Sequence, residues 1–247
     1  MFKDHFSTQA ADYARYRPQY PSEIFKLILQ NITRRELAWD CATGSGQAAH
    51  TLAAHFRRVI ASDASSSQIA HALPPVANVE YRVFPAEQPE IPAGSVDLIT
   101  VAQALHWFEW DSFYRAVRTV AHPRALLAIW GYGINHIEPG LDQLVRYFYN
   151  DLVGTYWPPE RKLIESEYDE IPFPFERIPG PEIEMSKCMT SADFLGYLGT
   201  WSAVVRYRAA HQSDPITLIA DELRSRWGDA PRKVYWRFFY RLGRVHS

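Results

Sequence analysis

Asp40-Cys41-Ala42-Thr43-Gly44-Ser45-Gly46 decides the reading of this chain. Before it, Leu37-Ala38-Trp39 is a short apolar run that leads into an acid. After it, Ala49, Leu52, Ala53 and Phe56 fall at i, i+3, i+4 and i+7, the apolar stripe of a helix. The stretch is therefore a small-residue loop between a buried strand and a helix. Small residues let the backbone approach a ligand closely, and the start of the helix offers it unpaired N–H groups.

The same alternation continues outward. Residues 59–61 form a short buried strand ending at Asp63, and residues 79–84 a third strand stopped by Pro85. Residues 96–102 are almost continuously apolar, as a strand covered on both faces should be. Residues 125–130 supply a fifth strand. Pro21 opens a helix carrying Ile24, Leu27 and Ile28, and Asp111 is placed to cap one carrying Phe113, Val117 and Val120. Strands separated by helices, without a hairpin signal, predict an α/β fold: a Rossmann-like, doubly wound and mostly parallel sheet.

Residues 1–135 are expected to hold the ligand-binding core and an N-terminal helical segment. Residues 136–230 read as a helical, Pro-rich cap inserted before the last strand, and residues 231–247 return that strand to the sheet. Within the cap, Leu141, Leu144, Val145 and Phe148 mark a helix. Six prolines between positions 156 and 181 forbid long helices and mark a candidate lid. Asp214-Pro215 should cap the helix bearing Ile216, Ile219, Ala220 and Leu223.

Composition narrows the classes. Hydrophobic residues are 47% and charged residues 22% of the 247, which excludes a disordered or fibrous chain. The net charge is −2, without a run of like charges, which argues against nucleic-acid binding. No apolar run has the length of a membrane span, and Met1-Phe2-Lys3-Asp4-His5 is too polar for a signal peptide. Two cysteines are too few for a disulfide framework. The expectation is a cytoplasmic monomer or homodimer acting on a small molecule. His50 and His55 lie five apart, not four, and no Cys/His group has zinc spacing, so no metal is expected.

Asp63, ending the second strand, stands where an acid accepts bonds from the two hydroxyls of an adenosine ribose. Gly44-Ser45-Gly46-Gln47-Ala48-Ala49 formally fits the dinucleotide fingerprint with Ala in its third place, which leaves an NAD(P)-dependent oxidoreductase open. Asp40 argues against it: a carboxylate beside a pyrophosphate is repulsive, whereas beside an ammonium group it is favourable. The Tyr-x-x-x-Lys pair of short-chain dehydrogenases is missing too. An acid, a glycine loop and a second acid fit a ligand with an amino-acid end and a nucleoside end, namely S-adenosylmethionine.

Here the chain resembles a family. The stretch at 40–46 looks like the first motif of class I S-adenosylmethionine-dependent methyltransferases, acid-x-Gly-x-Gly-x-Gly, with Ala42 in the first glycine place. Asp63 matches the acid of the second motif, Ala86-Glu87 the segment flanking the adenine, and residues 95–108 the fourth-strand motif. Tyr13-Ala14-Arg15-Tyr16-Arg17-Pro18, His106-Trp107-Phe108 and Thr200-Trp201-Ser202-Ala203-Val204 are similar to the trans-aconitate methyltransferase-like group, whose members methylate small carboxylic acids.

The resemblance implies cofactor contacts from Asp40, Ala42, Thr43, Gly44, Gly46, Asp63, Ala64, Gln68, Ala86, Glu87, Gln103 and Ala104, with Tyr13 and Arg17 closing over the ligand. His106 is the candidate general base or acceptor contact, its other reading being a wall of the pocket. Trp107, Trp110, Trp201 and Tyr207 are candidates to line the acceptor pocket, or else belong to an aromatic core. No Asn/Asp-Pro-Pro-Tyr segment suggests nucleobase amine methylation, and no Pro-Cys pair suggests a cysteine nucleophile. The expected reaction is methyl transfer to a carboxylate or hydroxyl oxygen of a small molecule. A module that binds the cofactor without turnover is the alternative from another class.

Two departures bear on this. Ala42 must hold whatever backbone conformation the missing glycine would have had. His122-Pro123-Arg124-Ala125 replaces the usual Pro-Gly-Gly turn before the fifth strand.

Overall fold

The computed structural model of the chain describes residues 15–74 and 76–246. Its strands are β1 (Leu37–Cys41), β2 (Arg58–Asp63), β3 (Val79–Val83), β4 (Val96–Ala102), β5 (Ala121–His136), β6 (Glu176–Arg177), β7 (Met185–Met189) and β8 (Arg232–Arg244). Its helices are α1 (Ser22–Asn31), α2 (Gln47–Ala53), α3 (Ser66–Ala70), α4 (Trp110–Val120), α5 (Pro139–Tyr147), α6 (Arg161–Glu165), α7 (Ser191–Gly199), α8 (Ser202–His211) and α9 (Ala220–Trp227). The sheet runs β3-β2-β1-β4-β5-β8-β6, with β7 paired to the other end of β8. β1 to β5 are parallel, and β8 joins β5 antiparallel. Strand order reverses between β1 and β4, so the ligand crevice of such a sheet lies at the carboxyl ends of those two strands.

Alternation across the pleat builds two cores. Ala38, Ala61 and Leu98 face α1 and α2 through Ile24, Ile28, Ala49 and Leu52. Trp39, Ile60, Ile99 and Val101 face the opposite side, against Phe113 and Val117 of α4. Each large side chain so buried contributes about 1.5–3 kcal/mol. A third cluster joins α5, α7, α8 and α9 through Leu144, Phe148, Phe194, Trp201, Leu223 and Trp227. Among the described residues no helix is long and apolar enough to cross a membrane, and no group of three metal-ligating side chains gathers.

Several expectations need correction. β5 does not stop at Trp130 but continues to His136. Gly131 lies within the longer strand and serves close approach: a Cβ there would lie 2.6 Å from Phe239 and 2.8 Å from Oε1 of Gln103. Asp111 lies inside the first turn of α4, whose cap position is Glu109. Asp214 caps the 3-10 turn Pro215–Leu218 through the Ile216 N–H, and α9 starts beyond that turn.

Within the Pro-rich candidate lid, residues 164–175 pack against the core. Ile164, Tyr168, Ile171 and Phe175 are buried in the core beside α4. The Tyr114 hydroxyl donates to the Pro172 carbonyl at 2.6 Å, and Nη1 of Arg241 donates to the Ile171 carbonyl at 2.7 Å. Side chains of α4 and β8 thus satisfy carbonyls that an irregular backbone cannot pair with itself.

Candidate active site

The loop after β1 is held by backbone geometry. Ala42 (φ 53°), Gly44 (φ 54°) and Gly46 (φ 83°) all adopt positive φ, alternating along the turn into α2. Such alternation turns successive N–H groups toward one side and makes a concave cradle. Ala42 thus does occupy the left-handed region, at about 1–2 kcal/mol for an L-residue. The two glycines are required for different reasons. A Cβ on Gly46 would sit 2.2 Å from the Tyr81 hydroxyl of β3. A Cβ on Gly44 would meet nothing within 4 Å, so that side of the loop is open.

Both acids support this loop. Asp40 is 1% exposed. Its carboxylate accepts from the Thr43 hydroxyl at 2.5 Å, the Thr100 hydroxyl of β4 at 2.7 Å and the Ala49 N–H of α2 at 3.1 Å. Burial pushes its pKa up to about 6, against the opposing pull of those three bonds. Asp40 is therefore first a brace that joins β1, the loop, α2 and β4. Asp63 accepts from the Gly44 N–H at 3.0 Å and from the Ser65 N–H at 2.9 Å. It is not the cap of α3, because the Ser65 hydroxyl accepts the Gln68 N–H instead. Ala64 and Gln68 lie half-buried beside it.

The second wall follows β4. Gln103 has φ 57°, and its side-chain amide is spent within the protein. Nε2 donates to the Tyr132 carbonyl at 3.0 Å, and Oε1 accepts the Tyr132 N–H at 2.9 Å. Gln103 thus ties β4 to β5, and its own N–H donates to the Trp130 carbonyl at 2.8 Å. Ala104 is buried and opens the 3-10 turn Leu105–Trp107. Ala86 is buried in the core after β3, and Oε1 of the half-buried Glu87 accepts the Glu109 N–H at 3.0 Å.

His106 lies in that turn, 7% exposed, with its ring 4.6 Å from that of Trp107. Its Nδ1 is 2.9 Å from the hydroxyl of the fully buried Tyr168. Burial, helped by the positive charge of Arg161, pushes the imidazole pKa down to about 3, so the ring is neutral. Glu167 and Tyr168 both have positive φ, at 54° and 64°. Two buried hydrogen bonds from Arg241 of β8 hold this strained pair, one to the Ile171 carbonyl and a short one to the Tyr168 carbonyl.

Arg161 of α6 completes the neighbourhood. Its side chain is 15% exposed and lies over the rings of Trp157 (4.9 Å) and Tyr149 (5.5 Å). Nε donates to the Tyr149 hydroxyl at 2.8 Å. A separate cavity of about 380 Å³ opens beside Tyr149 and Glu165, between β5, α5 and α6.

The remaining expected residues divide. Tyr13 lies outside the described residues. Arg17 donates to the Thr200 hydroxyl and carbonyl and to the Tyr132 hydroxyl, so two of the motifs that suggested the subgroup form one contact. Trp201 is buried among Phe148, Tyr149, Trp157 and Tyr197, in the aromatic core of the cap. Tyr207 stacks on Tyr156 and His211. Trp107 is half-buried beside His106, and Trp110 donates to the Leu105 carbonyl, bracing the turn. Sequence reasoning missed Thr100, Ser65, Tyr168 and Arg161. Thr100, a hydroxyl inside an apolar strand, was the one with a visible signal.

Comparison with known proteins assigns the family. A methyltransferase domain family matches residues 39–129. A Dictyostelium discoideum protein named as a methyltransferase is 37% identical over 226 residues, spanning 90% of this chain and 86% of its own. The Aspergillus terreus methyltransferase gedG is 33% identical over 132 residues, 49% of this chain and 41% of its own. A solved structure from Anaeromyxobacter dehalogenans, assigned to the type II methyltransferases, superposes with a TM-score of 0.84 at 41% identity. It covers 94% of this chain and 99% of that one. These relationships remove the oxidoreductase alternative. The chain belongs to the class I S-adenosylmethionine-dependent methyltransferases, with S-adenosylmethionine as its cofactor.

Proposed function

We propose that this enzyme methylates an oxygen of a small molecule, held between the loop at 42–46 and the turn carrying His106. The hydrogen bond from the Gly44 N–H to Asp63 carries the cofactor part of this reading. It draws the acid that ends β2 onto the open side of the glycine loop. A carboxylate at this place is the group that accepts hydrogen bonds from ribose hydroxyls. The cradle fits the cofactor's shape, since space remains over Gly44. It also fits the cofactor's charge, with Asp40 beneath the loop at the amino-acid end. Tyr13, Ala64, Gln68, Ala86, Glu87 and the backbone of Gln103 and Ala104 stand as further contacts by resemblance.

Bound S-adenosylmethionine supplies a methyl carbon on a sulfonium sulfur, which keeps the C–S electron pair as an acceptor lone pair forms the new C–O bond. The chain's own contribution is to orient the acceptor and exclude water. His106 and Trp107 stand at the carboxyl end of β4 for that task. The neutral state of His106 suits an acceptor contact.

The test is an assay with methyl-labelled S-adenosylmethionine across small carboxylic acids and alcohols, paired with calorimetry of S-adenosylhomocysteine. Methyl esters or ethers are expected. Tight binding with no methylated product from any acceptor would identify a binding module instead.

A further inference from the structure

We propose that Tyr168 locks His106 in the tautomer with its proton on Nε2, so that His106 serves as a hydrogen-bond donor and the acceptor is an oxygen already anionic, a carboxylate. The inference rests on the methyl-transfer reading for its second half and on the geometry of the pair alone for its first.

Hydrogen-bond satisfaction decides the tautomer. Tyr168 is fully buried, and its hydroxyl lies 2.9 Å from Nδ1 of His106. The hydroxyl has one proton to give. Nδ1 is the one acceptor paired with it among the described residues. If Nδ1 carried a hydrogen and donated, the phenolic proton would be buried with nowhere to go, an arrangement folded proteins avoid. Tyr168 therefore donates and Nδ1 accepts with its lone pair. A neutral imidazole with a bare Nδ1 carries its hydrogen on Nε2.

The surroundings keep the ring neutral. The charged group that acts on it is Arg161, from α6, which packs against the 105–107 turn. Arg241, from β8, acts on Tyr168. Both are cations and oppose protonation of the pair. With Nδ1 occupied and Nε2 already protonated, His106 has no lone pair left to take a proton from an acceptor.

Arg161 adds donors of the same kind. Of its five N–H groups, Nε alone is engaged, by the Tyr149 hydroxyl at 2.8 Å and by Glu165 at 4.0 Å. The aromatic shelf of Trp157 and Tyr149 lies under the guanidinium, and among the described residues its four terminal N–H groups donate to no acceptor. A planar fork of this sort pairs with a carboxylate bidentately. Methylation of a carboxylate oxygen gives a neutral ester and releases no proton. The reaction then asks nothing of His106 beyond a hydrogen bond.

The first experiment reads the ring directly. In histidine-labelled protein, 15N–1H correlation spectra should show His106 with a protonated Nε2 and a bare Nδ1, unchanged from pH 8 to pH 5. A protonated Nδ1, or a ring that titrates near 6.5, would overturn the lock. Tyr168→Phe should release the ring to a mixture of tautomers. The second experiment uses a panel of aliphatic mono- and dicarboxylates with their matching alcohols. Esters should form, and Arg161→Met should raise KM for them by tenfold or more with a smaller change in kcat. Methyl ethers formed faster than esters would overturn the acceptor class. Loss of all transfer while the spectra keep the Nε2 tautomer would sink the methyl-transfer reading and the acceptor class, leaving the lock standing.

Discussion

Arg17 and Thr200, 183 positions apart, are joined by two hydrogen bonds: Nε to the threonine hydroxyl at 2.8 Å and Nη2 to its carbonyl at 3.1 Å. The same guanidinium reaches the Tyr132 hydroxyl at 3.1 Å and lies 5.4 Å from the centre of the Tyr197 ring. The segment preceding α1 is thereby attached to the cap and to the end of β5 by one side chain. Thr200→Val would keep the shape and remove the hydroxyl that accepts from Nε of Arg17 and donates to the Tyr197 carbonyl, leaving the Thr200 carbonyl in place. It should destabilise the fold by about 1.5–3 kcal/mol, the range for hydrogen bonds to charged groups. Chemical denaturation measures the loss. An unchanged midpoint would mean the contact holds nothing.

Gly44 and Gly46 should respond differently to alanine. Gly46→Ala meets both positive φ and the Tyr81 hydroxyl, so it should lower stability by more than the 1–2 kcal/mol of the backbone cost alone. Tyr81→Phe should recover part of that loss in the double variant, because the nearest clashing atom is gone. Gly44→Ala has open space and should cost only the backbone term, yet its methyl group would project where the cofactor is proposed to lie. Its signature is therefore a large loss of S-adenosylhomocysteine affinity with a small shift in Tm. Equal affinity for Gly44→Ala and the parent chain would move the ligand away from this loop.

Asp63→Ala should weaken S-adenosylhomocysteine by about 1.5–3 kcal/mol if its carboxylate holds the ribose through charge-assisted bonds. It should also destabilise the empty protein, because the Gly44 and Ser65 N–H groups lose their acceptor. The two effects are separated by calorimetry below the unfolding temperature. Stability lost with affinity retained would restrict Asp63 to the loop.

The buried Asp40 makes a pH-dependent contribution of definite sign. Its folded pKa of about 6 lies above the ordinary aspartate value of 3.8, so the folded state binds the proton more tightly than the unfolded one. This contribution is fully present below about pH 4 and is lost as the pH rises through 6. Asp40→Asn removes the titration. Relative to the parent chain, the asparagine variant should gain up to about 3 kcal/mol between pH 4 and pH 8, two pKa units' worth. Its baseline is lower, because one acceptor oxygen is missing. A stability difference that does not change with pH would show that Asp40 stays ionised throughout.

Local pattern carried most of the sheet. β4 is legible because both faces are covered, and residues 96–102 announce this by a run that is apolar apart from Asp97 and Thr100. The loop was legible because strand, small residues, helix and two acids follow each other within 24 positions, from Asp40 to Asp63. What stayed hidden was tertiary. Gln103 looked like a ligand contact, yet its amide is consumed by the backbone of Tyr132, 29 positions away. Trp201 looked like a pocket wall, but four neighbouring rings enclose it. Arg161 and Tyr168 sit in a segment whose prolines suggested a loose cover. Its burial depends on Tyr114 and Arg241, two side chains far away in sequence, and no periodicity reports them.

Arg241 has a bearing on how the enzyme is made. The parallel strands and the glycine loop come from the first half of the chain and are synthesised early. The bend at Glu167 and Tyr168, which sets the environment of His106, is fastened by a guanidinium of β8, 73 positions later in the chain than Tyr168. A nascent chain could thus assemble its cofactor cradle well before its acceptor side is in register. Methyl transfer would then wait on the docking of β8.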